Sequence, residues 1–458
     1  MGYTAMDTQP DTHNRIINSL SNWRAKHFNE NFFVPILAVF VGIVTGFFAF
    51  LLKRMIAGVS HWLHTTFSGE IQWVMILIPL IGILLTGIFV RYIVRLDITH
   101  GVSKLISKLN NKVYTIKARI MAAPMLASSI TLGFGGSAGS EGPIAYTGAA
   151  IGSNFAKIFG LTPQMMMVLV GCGAAAGIAG IYKSPIGGFL FALEVLRLEL
   201  TTISVITVLL SAIVAVMTTY LFSGYSSDLP FSSDLIFSPS IMPLFIVFGI
   251  FCGLYSFYYS SIMQGMDKRY NKIKNSWLKN LYGGTILAVS IYLFPSLYGE
   301  GYNIIGNLFS GDIYSVVDNT LISRFIGGIP ALIIACVGLL LLKCFAASAS
   351  NGAGGVAGDF APTLFAGSIA GLLFALIVKS LLPQLDLPFG DIVLLGMGGV
   401  MAGAIRAPMM ALFLTIEMTG CYSLFFPDLI VCGVSFGVIR LLSNRDYFER
   451  RSFFKKIL

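Results

Sequence analysis

One carboxylate in this chain stands where chemistry is to be expected. Glu141 lies inside the turn Gly133-Phe134-Gly135-Gly136-Ser137-Ala138-Gly139-Ser140-Glu141-Gly142-Pro143, with long, nearly uncharged sequence on either side. A glycine-rich turn that ends in proline favours a helix starting there, because proline is well tolerated at the first helical position. Such a start leaves backbone N–H groups unsatisfied at the positive end of the helix dipole, so it can hold an anion without a full positive charge. A second turn of the same kind ends in Gly358-Asp359-Phe360-Ala361-Pro362. Two helix starts aimed at one point could dehydrate a halide, and the Glu141 carboxylate could occupy the anion's place until protonated or displaced. That would make Glu141 a gate. The plainer reading is a carboxylate that only caps its helix, but an acid inside a membrane segment is a functional candidate by default.

The elements that must position these residues are membrane elements. The 458 residues are 56% hydrophobic and only 11% charged, with mean hydropathy +0.81, where soluble proteins are about 25% charged. Apolar runs recur from Phe32–Leu52 through Leu424–Leu442. Several approach the ~20 residues that span a bilayer. Others are shorter or broken by Gly and Pro, and backbone that breaks off inside a membrane must be buried in protein or line a wet cavity. The sequence therefore predicts an all-α polytopic membrane protein.

Basic residues (net charge +9) collect at Lys53-Arg54, from Lys104 to Arg119, from Lys268 to Lys279, and at Arg445, Arg450, Arg451, Lys455 and Lys456. By the positive-inside rule both termini are expected in the cytoplasm of a cell (inner or plasma) membrane protein, and the basic character reads as topology, not as a nucleic-acid surface. Residues 1–31 show no signal-peptide pattern and read as a cytoplasmic amphipathic segment. The six cysteines lack CxxC spacing and read as small core residues. HExxH and Walker patterns are absent, which argues against a membrane enzyme. No nucleotide, metal or other cofactor is implied.

The chain contains a repeat. Gly180-Ile181-Tyr182-Lys183-Ser184-Pro185, closed by Glu194 nine residues past the proline, matches Gly403-Ala404-Ile405-Arg406-Ala407-Pro408, closed by Glu417 at the same spacing. The two glycine-rich turns ending in Pro143 and Pro362 match at nearly the same offset. The expected organisation is an N-terminal segment (1–31), a first membrane repeat (32–225), a connecting loop (226–240), a second repeat (241–442) and a short basic cytoplasmic tail (443–458). Paired halves with interrupted helices in corresponding places point to a transporter-like fold with its site near the midplane.

These residues resemble the CLC family of chloride channels and chloride/proton antiporters, in its prokaryotic form without cytosolic nucleotide-binding modules. The resemblance rests on Gly139-Ser140-Glu141-Gly142-Pro143, on Gly358-Asp359-Phe360-Ala361-Pro362, on Thr99-His100-Gly101-Val102-Ser103 as a variant of the family's Gly-Ser-Gly-Ile-Pro, and on Tyr447. It implies two inverted repeats of tilted, interrupted helices and a homodimer with one anion pathway per subunit. It also implies an external gating role for Glu141, backbone N–H donation by Phe360 and its neighbours, and hydroxyl donation by Tyr447, for which Tyr422 or Tyr182 could be mistaken. The implied anion-binding set is His100, Gly101, Gly139, Ser140, Gly142, Asp359, Phe360, Ala361 and Tyr447, with chloride or another small anion as substrate.

Three positions depart from the family pattern. His100 replaces the serine that would hold the anion, and an imidazole can donate one N–H when neutral and two when charged. Val195 stands where proton-coupled members carry an inner glutamate, which leans the reading towards a passive channel. Glu194, Glu199 or Asp359 could stand in, so an anion/proton antiporter remains the alternative. Glu194, matched by Glu417, suggests a structural role shared by both halves. Asp359 replaces an aliphatic residue, and could cap its own helix, serve a proton path with Glu141 and Glu194, or mark the fluoride-exporting branch.

Overall fold

The computed structural model of the protein describes residues 12–67, 72–199, 201–233, 241–385 and 387–455. After α1 (Thr12–His27), two sets of eight helices follow in the same order. The first set is α2 (Glu30–Phe67), α3 (Gln72–Ile88), α4 (Gly101–Asn110), α5 (Ala123–Gly133), α6 (Glu141–Ile158), α7 (Pro163–Tyr182), α8 (Pro185–Leu190) and α9 (Thr202–Ser223). The second is α10 (Met242–Lys272), α11 (Ser276–Leu293), α12 (Tyr302–Phe309), α13 (Gly328–Gly352), α14 (Phe360–Leu381), α15 (Phe389–Ile405), α16 (Pro408–Thr419) and α17 (Phe425–Lys455). Within each set the fifth helix packs on the sixth and the first on the eighth, while α3 meets α11 and α8 meets α16 across the repeats. This is the inverted-repeat architecture expected from the sequence. The last helix runs unbroken past residue 442, where the tail was expected to begin.

Sequence explains the breaks. α7 ends at Lys183 (φ 54°) and α15 at Arg406 (φ 62°), both left-handed, and a proline opens the next helix two residues later. The fifth and sixth helices cross closely because no side chain intervenes: a Cβ on Gly148 or Gly173 would collide with the other's carbonyl, and the same holds for Gly367 and Gly396. Small residues let backbones approach in this way inside membranes.

Among the described residues, eight helices are long and apolar enough to cross a membrane. The most apolar stretch of α14 is 94% buried and that of α7 is 83% buried, against 44% for α2 and α9. α7 and α14 are therefore interior walls, and α2 and α9 turn a face to lipid. The interrupted helix starts lie against those interior walls, where broken backbone can be satisfied by protein.

Candidate functional site

The two glycine-rich turns meet. Gly139 N–H donates to Gly358 O at 2.9 Å and Gly358 N–H to Gly139 O at 2.6 Å, an antiparallel bridge joining the lead-ins of α6 and α14. Pro143 and Pro362 each occupy the third position of their helices. A Cβ on either bridge position would meet the Glu141 carboxylate, and on Gly358 it would also press on the Gly142 backbone nitrogen at 2.7 Å. That carboxylate is buried at 1% exposure. Its Oε1 accepts the Phe360 N–H, and its Oε2 accepts the Tyr182 hydroxyl at 3.4 Å. A side chain from one repeat thus sits on the helix start of the other, at the place where an anion would be held. Gly142 and Ala361 continue the two helix starts, and the Phe360 ring meets Phe191 edge-on at 5.8 Å.

Ser140, the last residue before α6, makes no cap bond to its own helix. Its N–H and its hydroxyl both donate to Glu300 Oε1, at 2.9 and 2.8 Å. Glu300 lies in Gly299-Glu300-Gly301, just before α12.

Asp359 holds the corresponding place before α14 and does not cap its own helix, contrary to one expectation from the sequence. It accepts instead from the Asn351 side-chain amide at the end of α13. His100, left-handed at φ 52°, precedes α4 and lies within electrostatic reach of Asp359 and of Asp267 on α10. Gly101 lets α4 approach α6, since a Cβ there would come to 2.9 Å from Gly142 O.

A family model described as voltage gated chloride channel matches residues 81–440. The chain belongs to the voltage gated chloride channel family. The voltage-gated ClC-type chloride channel ClcB of Citrobacter koseri is 31% identical over 333 residues, 71% of this chain and 74% of that protein. The H+/Cl− exchange transporter ClcA of Vibrio parahaemolyticus is 27% identical over 438 residues, covering 92% of this chain and 89% of that one. A solved slow cyanobacterial Cl−/H+ antiporter shares the fold, with TM-score 0.76 and 22% identity over 89% of this chain and 94% of that one. Anion transport in a multi-pass membrane protein is the activity common to this family.

In this voltage gated chloride channel family member, the two repeated glutamates serve each other's repeat. Glu194 accepts from the N–H groups of Met409 (3.3 Å) and Met410 (2.8 Å), at the start of α16. Glu417 accepts from the Ser184 hydroxyl (2.6 Å) and from the N–H groups of Ile186 and Gly187 (both 3.0 Å), at the start of α8. Each carboxylate therefore satisfies orphan donors at the N-terminus of the opposite helix. Val195 is half-buried beside Glu194, and Glu199 is exposed. Tyr447 falls within α17, but its side chain lies outside the described residues. Tyr422 is 60% exposed.

A cavity of about 1210 Å3 opens next to the Glu141 seat, lined among others by Lys53, His64, Tyr182, Tyr298, Glu300 and Tyr302. At its rim Asp228 pairs with Lys53 and, at 3.0 Å, with the buried Lys183. Burial raises the Asp228 carboxyl, but the two ammonium groups outweigh it and hold the acid below its ordinary range. Asp97, paired with Lys104, is lowered in the same way against its own burial.

Sequence reasoning missed Glu300 and Lys343. Lys343 is fully buried on α13, donates to Ser137 Oγ at 2.8 Å and stands 4.6 Å over the Phe365 ring. A lysine inside an apolar run was a signal in itself. Glu300 had a fainter one: it precedes the third helix of its repeat as His100 precedes the third helix of the first.

Proposed function

We propose that this protein conducts chloride passively through a pathway gated by Glu141, as a homodimer with one pathway per subunit. The observation that carries the reading is the Glu141 carboxylate on the Phe360 N–H, an anion mimic on the start of an interior helix. Displacement or protonation of the carboxylate frees that donor for a halide. Passive conduction is supported by Val195, which offers no proton acceptor, and by Glu194, whose carboxylate is committed to the start of α16. The cavity at the outer ends of α2 and α7 is then the external vestibule, with both termini cytoplasmic by the positive-inside rule as carried by the basic runs at 104–119, 268–279 and the C-terminal end. Lys53, counted with them in the sequence, instead lines the vestibule and pairs with Asp228.

A second reading, an anion/proton antiporter for chloride or fluoride, is favoured by Asp359. It directly precedes Phe360, accepts from the Asn351 amide and lies within electrostatic reach of His100 and Asp267, titratable groups by which a proton could approach Glu141 without an inner glutamate. The relatives include both a channel and an exchanger.

Chloride efflux from proteoliposomes, with external pH recorded, decides between the two. Chloride flux without uphill proton movement is expected, together with faster flux in Glu141→Ala. Sustained proton movement against its gradient, driven by chloride, would overturn the channel reading. Fluoride passing faster than chloride would move the assignment to a fluoride exporter.

A further inference from the structure

We propose that Glu300 is a second, outer gate in series with Glu141: its carboxylate holds the Ser140 donors, and an anion arriving from the vestibule must displace it before reaching the Glu141 seat. The inference rests on the Glu141-gated reading and extends it.

The helix start of α6 offers a backbone N–H and a hydroxyl at Ser140, and the start of α14 offers the Phe360 N–H. In this structure carboxylates occupy both sets, Glu300 the first and Glu141 the second. Removing Glu141 alone would free only the second set. Glu300 also lines the vestibule, so its carboxylate stands between open cavity and buried helix start. Ser140 itself is buried at 3% exposure and does not line the cavity, whereas Glu300 does.

A purely structural cap needs no such arrangement. The serine at this position could cap α6 with its own hydroxyl, the ordinary solution. It gives the hydroxyl away instead, to an acid brought from another repeat by a turn with left-handed glycines at 299 (φ 72°) and 301 (φ 89°). That choice places two carboxylates in one buried region, where they repel each other when both are ionised. The groups that face Glu300 are Glu141 on α6, Tyr182 on α7, Tyr302 on α12, Lys53 on α2 and Lys343 on α13. His61, His64 and Asp228 share the vestibule wall. Burial favours the neutral form of Glu300, and against it the Ser140 bonds and the two lysines favour the ionised, closed form. A proton from vestibule water, taken up by the carboxylate, weakens its hold on the Ser140 N–H, because a neutral carboxyl accepts more weakly than an ion.

The test uses the full-length protein in proteoliposomes and reads chloride flux as external pH falls from about 7.5 to about 4.5, across the carboxyl range. With Glu141 removed (Glu141→Ala), flux is expected to keep rising by several-fold to about tenfold on acidification, the scale of one charge-assisted contact. Glu141→Ala/Glu300→Gln is expected to show high flux at both pH values. Glu300→Asp in the Glu141→Ala background keeps the charge and should restore the pH dependence. Should the Gln variant fail to fold, Glu141→Ala/Ser140→Ala removes half of the same contact and should flatten the profile. Equal pH dependence with and without Glu300, or none in Glu141→Ala, would overturn the outer gate. If Glu141→Ala/Glu300→Gln, with both carboxylates gone, conducts no faster than Glu300→Gln alone, the Glu141 gate itself is wrong, a separate outcome.

Discussion

Two sets of matched positions in the repeats are used in opposite ways. Glu194 and Glu417 are equivalent and do equivalent work, each capping the short helix of the other repeat. The positions at the starts of α6 and α14 are equivalent in backbone, joined by a two-way glycine bridge, yet differ in side chain. Glu141 reaches across to the partner helix, while Asp359 turns to Asn351. The lead-ins to α4 and α12 differ likewise, with His100 in one and Glu300 in the other. Where the symmetry is kept, carboxylates satisfy donors the fold would otherwise leave orphaned. Where it is broken, one side of the pseudo-symmetric pair is left to hold something that moves.

The largest effect should come from breaking the symmetric pair. Glu417→Ala deserts three donors and is expected to cost about 3 kcal/mol of stability, since bonds to charged groups contribute about 1.5–3 kcal/mol each and do not add fully. Glu194→Ala, with two donors, should cost roughly half as much on the same scale. Thermal unfolding in detergent checks both. A Glu194 variant with unchanged stability but altered proton coupling would end the structural reading of this pair.

The asymmetric pair should respond in transport more than in stability. Glu141→Ala is expected to raise chloride flux by about tenfold, the scale of a vacated charge-assisted contact, and to leave the unfolding temperature nearly unchanged. Asp359→Asn sharpens the same contrast: passive conduction predicts chloride flux within about twofold of the parent, well below one such contact. Loss of a measured proton flux on that substitution would instead place Asp359 on a proton path.

The smallest effect is expected at the vestibule rim. Asp228 is held below its ordinary range when folded, so its pairing with Lys53 and Lys183 stabilises the protein above the unfolded value of about 3.9. That contribution is lost as pH falls through the lower folded value. Asp228→Asn should therefore reduce stability at neutral pH by about 1 kcal/mol, the scale of a partly exposed pair, and narrow its difference from the parent in acid. A stability gap that widens in acid would contradict the assignment.

The fold was largely legible before any coordinates, because hydrocarbon admits few backbone solutions: glycine-proline breaks in matched positions had to be buried helix starts. Glu141, Phe360 and the Glu194/Glu417 repeat were visible for the same reason, each standing at a recognisable break. Sequence left Asp359 open among three roles: capping its own helix, serving a proton path with Glu141 and Glu194, or marking the fluoride-exporting branch. The side-chain amide of Asn351, eight residues earlier but brought alongside by the end of α13, excluded the first of these. Glu300 was invisible as a site residue because its partner Ser140 lies 160 residues away, and no local pattern encodes a contact between repeats. Local sequence determined where the helices start; only tertiary packing decided whose carboxylate sits on which start, because those donors are filled from across the pseudo-symmetric interface.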